Sequence, residues 1–262
     1  MVSVRLLFVP LLVAVCAAAC ASPQPVMSSP PPRAFPAATA MGDILAAPDR
    51  SADDRRLDAG RHPVELFAFA GVKPGMRVAE IGAWHGYTAE LLSRAVAPDG
   101  VVYAQDPEDF DKWTHAAWEE RSTRPTFARI VRWARPFETP IAPDTAPLDV
   151  VFCVLFYHDT VWLGVDRDKM NTAIFKVLKP GGSFVVSDHS ARAGDGITVV
   201  KTLHRIEERV VKQEVVRAGF VLAAESDVIH HPEDKRDWSA SDEAPPEKRG
   251  TSDRFLLRFK RP

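Results

Sequence analysis

Residues 77–96 read RVAEIGAWHGYTAELLSRAV. The run RVAEIG is short and β-prone and stops at a glycine. From Gly86 onward the apolar residues fall at helical spacing. A strand that ends on glycine and passes at once into a helix is the opening half of a βα unit. Working outward, the pattern recurs. Asp99-Gly100 makes a turn into VVYAQD (101–106), and the charged, Trp-containing stretch 107–123 reads as a helix. ARIVRWA (128–134) is a third strand, and Pro140, Pro143 and Pro147 mark a loop before LDVVFCVLFYHD (148–159), the most hydrophobic strand. A helix over 166–178 is stopped by Lys179-Pro180-Gly181-Gly182. SFVVSDH (183–189), a long helix over 197–219, FVLAAES (220–226) and RFLLRFK (254–260) complete the series.

Successive βα units demand a parallel sheet with helices on both faces. The last two strands, separated by a long polar insertion, read as an antiparallel hairpin at the sheet edge. The expected fold is therefore α/β: a Rossmann-like seven-stranded sheet, mostly parallel with a C-terminal antiparallel strand, over 43–262.

The composition agrees with a single sizeable globular domain. Of 262 residues, 46% are hydrophobic, enough for a real core. Lys and Arg number 33 against 35 Asp and Glu, a net charge of −2, so no basic excess points to nucleic acid. Residues 1–21 carry Arg5, an apolar run and a small-residue zone, the three parts of an export signal. Cleavage before Cys20 would make that cysteine a lipid-attachment site; ordinary cleavage after Ala19 or Ala21 is the alternative. Residues 22–42, rich in Pro, Ala and Ser, read as a tether. Together they place the mature chain in the periplasm or on the cell envelope. Cys16 and Cys20 lie in the removable segment, which leaves Cys153 without a disulfide partner. No internal repeat is visible.

In open α/β sheets the ligand sits beyond the carboxyl ends of the strands. The first strand ends Glu80-Ile81-Gly82-Ala83-Trp84-His85-Gly86-Tyr87. An acidic residue followed by glycines at a helix N-terminus suits a nucleoside cofactor. The second strand ends in Asp106, where a carboxylate can accept both ribose hydroxyls. Asp106 could equally cap the next helix, with Pro107 as its first residue. Glu80 has the alternative of a surface ion pair.

These strand ends, with FAGVKPGMRVAEIG, VYAQDP, FYHD, IFKVLKPGGSFVVSDH, LHRIE, AGF and RGTSDRF, resemble the class I S-adenosylmethionine-dependent methyltransferases. More narrowly the chain is similar to a bacterial family of exported predicted methyltransferases. The resemblance implies S-adenosylmethionine as cofactor, held by Glu80, Gly82, Ala83, Trp84, Gly86, Tyr87, Asp106 and Tyr157. It also implies methyl transfer to an acceptor that it does not name. One departure stands out. The family's first loop carries glycine at the position of Trp84, and often at that of His85. An indole there either swings aside, stacks on the cofactor, or fills the pocket.

His158 and Asp159 close the fourth strand and Asp188 and His189 the fifth, so two His and two Asp side chains are expected to converge. Methyl transfer to oxygen or nitrogen needs removal of a proton. His158 is the first candidate base and His189 the second, with Asp159 and Asp188 as orienters or substrate ligands. The same cluster suits a divalent metal chemically, although no metal ligand is assigned from sequence. It can also be read as mutually satisfied helix caps. His204 lies in the long helix with Arg205 and Glu207 nearby. Phe110, Trp113 and Trp118 lie close enough to cover an adenine. RGTSDR, residues 249–254, reads as a loop locked by an ion pair between Asp253 and an arginine.

Two other function classes remain. One is a binding module that keeps the fold without catalysis. The other is a nicotinamide-dependent oxidoreductase, for which the chain offers G-A-W-H-G where G-x-G-x-x-G is wanted.

Overall fold

Alternating side chains of the strands divide between two apolar layers, and that division organises the molecule. The computed structural model describes residues 41–145 and 147–262. The expected signal segment, most of the tether and Cys20 lie outside these residues. Among the described residues no helix is long and apolar enough to cross a membrane.

Three helices come first: α1 (Met41–Ala46), α2 (Ala52–Arg61) and α3 (Pro63–Ala70). Then follow β1 (Arg77–Ile81), α4 (Tyr87–Ala95), β2 (Val101–Asp106), α5 (Asp111–Ser122), β3 (Ile130–Ala134) and β4 (Leu148–Val154). The second half contains α6 (Tyr157–Trp162), α7 (Arg167–Val177), β5 (Leu178–His189), α8 (Val200–Leu203), α9 (Glu208–Arg217), β6 (Val221–Ser226) and β7 (Arg254–Lys260). The sheet order is β3-β2-β1-β4-β5-β7-β6. The first five strands are parallel, and β7 runs antiparallel to both its neighbours. The hairpin expected at the sheet edge is there, with the last strand of the chain on its inner side. This is the Rossmann-like seven-stranded sheet that the sequence predicts.

Val78, Val150, Phe152 and Val185 face one layer, packed against Ile44, Leu66 and Phe67 from α1 and α3 and against Leu91 and Leu92 from α4. Ala79, Val151, Cys153, Phe184 and Val186 face the other, against Met170 and Ile174 of α7 and Val211 and Val215 of α9. Strands covered on both sides carry apolar residues at every position, which explains the unbroken hydrophobicity of β4.

Four details differ from the sequence reading. The helices α1–α3 had no counterpart in it. β5 begins at Leu178, so Lys179-Pro180-Gly181-Gly182, read as the stop before the strand, lie inside it; the loop expected between β3 and β4 is there, with the buried side chains of Phe137 and Ile141 covering that part of the sheet. β4 stops at Val154, because Leu155 takes a left-handed turn (φ 55°) and 157–162 is helix. A short buried apolar run looks the same in a strand and in a helix. The helix expected over 197–219 is broken in two at His204, also left-handed (φ 48°). The break is pinned to the sheet end: the Ile206 N–H donates to the His189 carbonyl and the Ala191 N–H to the Ile206 carbonyl, both at 3.0 Å.

Candidate functional site

The carboxyl end of β1 is where backbone conformation is most constrained. Gly82, Trp84 and Gly86 all have positive φ (69°, 49° and 79°). At Gly82 this is required by packing: a Cβ would lie 2.3 Å from the ring of Phe156. At Gly86 it would lie 2.7 Å from Trp118. Trp84 adopts the same left-handed region without being glycine, at a cost of about 1–2 kcal/mol. It is held there from two sides. The Trp84 N–H donates to Asp106 Oδ1 at 3.1 Å, and its carbonyl accepts from Trp118 Nε1 at 2.8 Å.

Three further amides of this loop are turned inward. The N–H groups of Gly82 and Ala83 both donate to the Gln105 carbonyl (3.0 and 3.1 Å), and that of Gly86 to the Ala83 carbonyl (2.8 Å). These amides were expected to face a ligand, and they spend their hydrogen bonds on closing the turn. Above the loop the rings form a continuous cluster. Trp84 meets Phe110 edge-on at 5.5 Å, and Phe137 lies 5.7 Å from Phe110 and 5.0 Å from Phe156. Phe156 and Phe137 were not anticipated, because no motif separates a ring over a glycine from any other core phenylalanine.

Beneath these rings lie two buried carboxylates. Glu80, 3% exposed, has no Lys or Arg within ion-pair distance among the described residues, so it is not a surface ion pair. Its Oε2 has no hydrogen-bond partner. Burial pushes Glu80 up to about 8 against a hydrogen bond from Thr88, and the neighbouring Asp106 charge adds to the rise. Asp106 is raised to about 7, again by burial, opposed by the Trp84 N–H and Arg132. It accepts from Trp84 and does not cap the helical turn that follows it.

Of the other residues assigned to the cofactor, Tyr87 gives its hydroxyl proton to Asp58 of α2 at 2.8 Å. Tyr157 turns away: its hydroxyl donates to Glu214 of α9 and accepts from Asn171 of α7, at 2.9 and 2.8 Å. Tyr157 heads α6, and its side chain is buried between those helices. Beside the ring cluster a cavity of about 400 Å³ opens between the ends of β2 and β3. It is wide open to solvent and lined by Pro107, Glu108, Asp109, Ala134, Arg135 and Pro136.

S-adenosylmethionine can be tested against this arrangement. Its ribose hydroxyls and ammonium are donors, and an orphaned buried carboxylate oxygen beside a second buried carboxylate calls for donors. The polar groups fit. The space directly over Gly82 is taken by Phe156, so the fit extends from Asp106 toward the β2–β3 cavity.

The second constellation assembles as expected at the ends of β4 and β5. Asp188, fully buried, accepts both the backbone N–H of His158 and its ring Nδ1–H, each at 2.7 Å. His158 Nε2 lies 3.2 Å from Asp159 Oδ1. Burial works against the charged ring, but the two carboxylates outweigh it and raise His158 to about 10. At neutral pH His158 is therefore an imidazolium and holds the proton that a base would have to accept. His189 is the opposite case: burial, and then the charge of His158, hold it well below the ordinary histidine range. Its Nδ1 is 2.7 Å from the Ser252 hydroxyl. Ser252 belongs to the RGTSDR segment, which the sequence reading kept apart from the site. The expected lock is present there, with Asp253 paired to Arg236 at 2.5 Å. His204, brought round by the helix break, lies 3.7 Å from Asp159 and 5.5 Å, ring to ring, from His158.

No family model matches the chain. Over 155 residues it is 26% identical to a protein named as an rRNA 2′-O-methyltransferase, fibrillarin 3, of Arabidopsis thaliana, covering 59% of this chain and 50% of that one. Over 123 residues it is 27% identical to an arsenite methyltransferase of Halobacterium salinarum, covering 46% and 29%. The chain thus spans half or less of the length of these curated relatives. Among solved structures, a SAM-dependent methyltransferase from Aquifex aeolicus superposes with a TM-score of 0.57 at 18% identity, over 84% of this chain and 97% of that one. The fold is that of the class I S-adenosylmethionine-dependent methyltransferases.

Proposed function

We propose that this protein is an S-adenosylmethionine-dependent methyltransferase whose acceptor lies in the bacterial cell envelope. One observation carries the reading: Glu80 and Asp106 are buried side by side beneath the first crossover, with Glu80 Oε2 unpartnered. A buried oxygen left without a hydrogen-bond partner costs about 1–3 kcal/mol, which a ligand that supplies a donor recovers. The export-type N-terminus supports the envelope location.

In this reading Asp106 accepts the ribose hydroxyls, Glu80 takes a donor from the amino-acid end, and the adenine enters the cavity between β2 and β3. Bound there, the cofactor supplies an electrophilic methyl on a sulfonium. The chain's own residues position an acceptor at the ends of β4 and β5. His189, held neutral, is the ring free to take its proton, while His158 stays charged between Asp188 and Asp159. The ring cluster above Gly82 excludes water from this end of the sheet.

A second reading has its own observation. The inward-turned amides and the Phe156 ring over Gly82 favour a module that keeps the fold without binding a nucleoside. Titrating the purified chain with S-adenosylmethionine and S-adenosylhomocysteine, with the melting temperature as readout, separates the two. The methyltransferase reading expects a shift at millimolar ligand that Asp106→Ala weakens by about tenfold or more, the worth of charge-assisted hydrogen bonds. No shift with either nucleoside would favour the second reading.

A further inference from the structure

We propose that His158, Asp159 and His204 form a site for a divalent transition-metal ion, with zinc as the metal that fits. One donor atom from each, two imidazole nitrogens and one carboxylate oxygen, lies within 4.8 Å of the others. The measured separations are 3.2 Å from His158 Nε2 to Asp159 Oδ1 and 3.7 Å from His204 Nδ1 to the same oxygen. A tetrahedral zinc with ligands at about 2.0–2.1 Å spaces its donors by about 3.3–3.4 Å. These two separations lie within a few tenths of an ångström of that spacing, and the whole group within 4.8 Å. Three protein ligands leave the fourth position open, the arrangement of reactive rather than purely structural zinc.

The surroundings are those of a supported metal site. His158 donates its other ring nitrogen, Nδ1, to the fully buried Asp188 at 2.7 Å, the outer carboxylate that fixes a ligating ring. Asp159 is fixed in turn by Trp162, whose indole N–H donates to Oδ1 at 2.7 Å. His204 holds a left-handed backbone at the break between α8 and α9, and strain of that kind persists where the neighbourhood dictates it. His158 is buried, while Asp159 and His204 keep 21% and 30% of their side chains exposed, which gives an ion a way in. Zinc would displace the proton that His158 holds at Nε2 in the metal-free protein, and imidazole with carboxylate selects zinc-type ions over magnesium or calcium.

The inference does not rest on methyl transfer, and its test uses no nucleoside. Tag-free protein, stripped with chelator, is titrated with zinc chloride by calorimetry and with cobalt chloride by visible absorption. One equivalent of zinc is expected, with cobalt giving the intense ligand-field bands of a four-coordinate site. His204→Asn keeps a residue tolerant of the left-handed backbone. It should weaken zinc binding by about 100-fold with unchanged circular dichroism. Asp159→Asn should do the same if the first variant misfolds. His115→Gln, an exposed histidine flanked by Asp111 and Glu119 on α5, should change nothing. Absence of stoichiometric zinc binding, or binding equally strong in His204→Asn, would overturn the proposal.

Discussion

Glu80 shows how one side chain ties stability to ligand. Its folded pKa is raised from 4.5 to about 8. A carboxyl raised in this way contributes stability below its ordinary pKa, and loses it as pH climbs through the folded value. Glu80→Gln removes that loss. It should melt above wild type at pH 9, by about 2–4 °C for each kcal/mol relieved, and match wild type near pH 4. The same change should weaken S-adenosylmethionine. Thermal denaturation at the two pH values checks the first half; a variant no more stable at pH 9 would mean that Glu80 is compensated in the folded protein. The position was legible in sequence as an acid at a strand end. Its burial without a counter-ion was not, because nothing in EIGAWHG says whether a cation from a distant element reaches in.

At the scale of the element, the first crossover is a turn closed on itself by its own amides and by Trp84. Replacing that residue with glycine removes the left-handed penalty and empties the space beside Phe110. Trp84→Gly keeps the carbonyl that Trp118 needs. It is expected to raise affinity for S-adenosylhomocysteine by about tenfold, one pKd unit or about 1.4 kcal/mol; a titration showing no gain would mean that the indole is not what limits entry. Periodicity and turn chemistry located every strand of the sheet, and RVAEIG and VVYAQD carry their own boundaries; SFVVSDH does not, because β5 begins earlier, at Leu178. They failed where tertiary contacts decide. The sheet end, through Ile206, His189 and Ala191, breaks a run that local propensity would keep helical. That break is also what swings His204 toward His158, so an error in one helix hid one member of the polar cluster.

Across the whole molecule, the shifted groups set a pH profile. Asp106, Glu80 and His158 are all raised, to about 7, 8 and 10, so each contributes less as the solution becomes alkaline. Asp49, Asp54 and Asp159 are lowered, and their contributions fade as pH falls below the ordinary carboxylate range. Melting temperature should therefore be highest at about pH 4–5, where the raised carboxyls still hold their protons and the lowered aspartates are already ionised, and decline toward pH 10. In His158→Gln the part of that decline above pH 8 should disappear. A flat alkaline limb in the wild type would contradict the charged state assigned to His158.

The position of β7 has a consequence for how the protein is made. Its seven residues, Arg254–Lys260, leave the ribosome after β5 and β6, yet they bridge the two. Until they emerge, β6 has no neighbour and β5 shows a bare hydrogen-bonding edge. The nascent chain must wait, its half-built sheet exposed to passing strands, and closure comes only after β7 itself has been made.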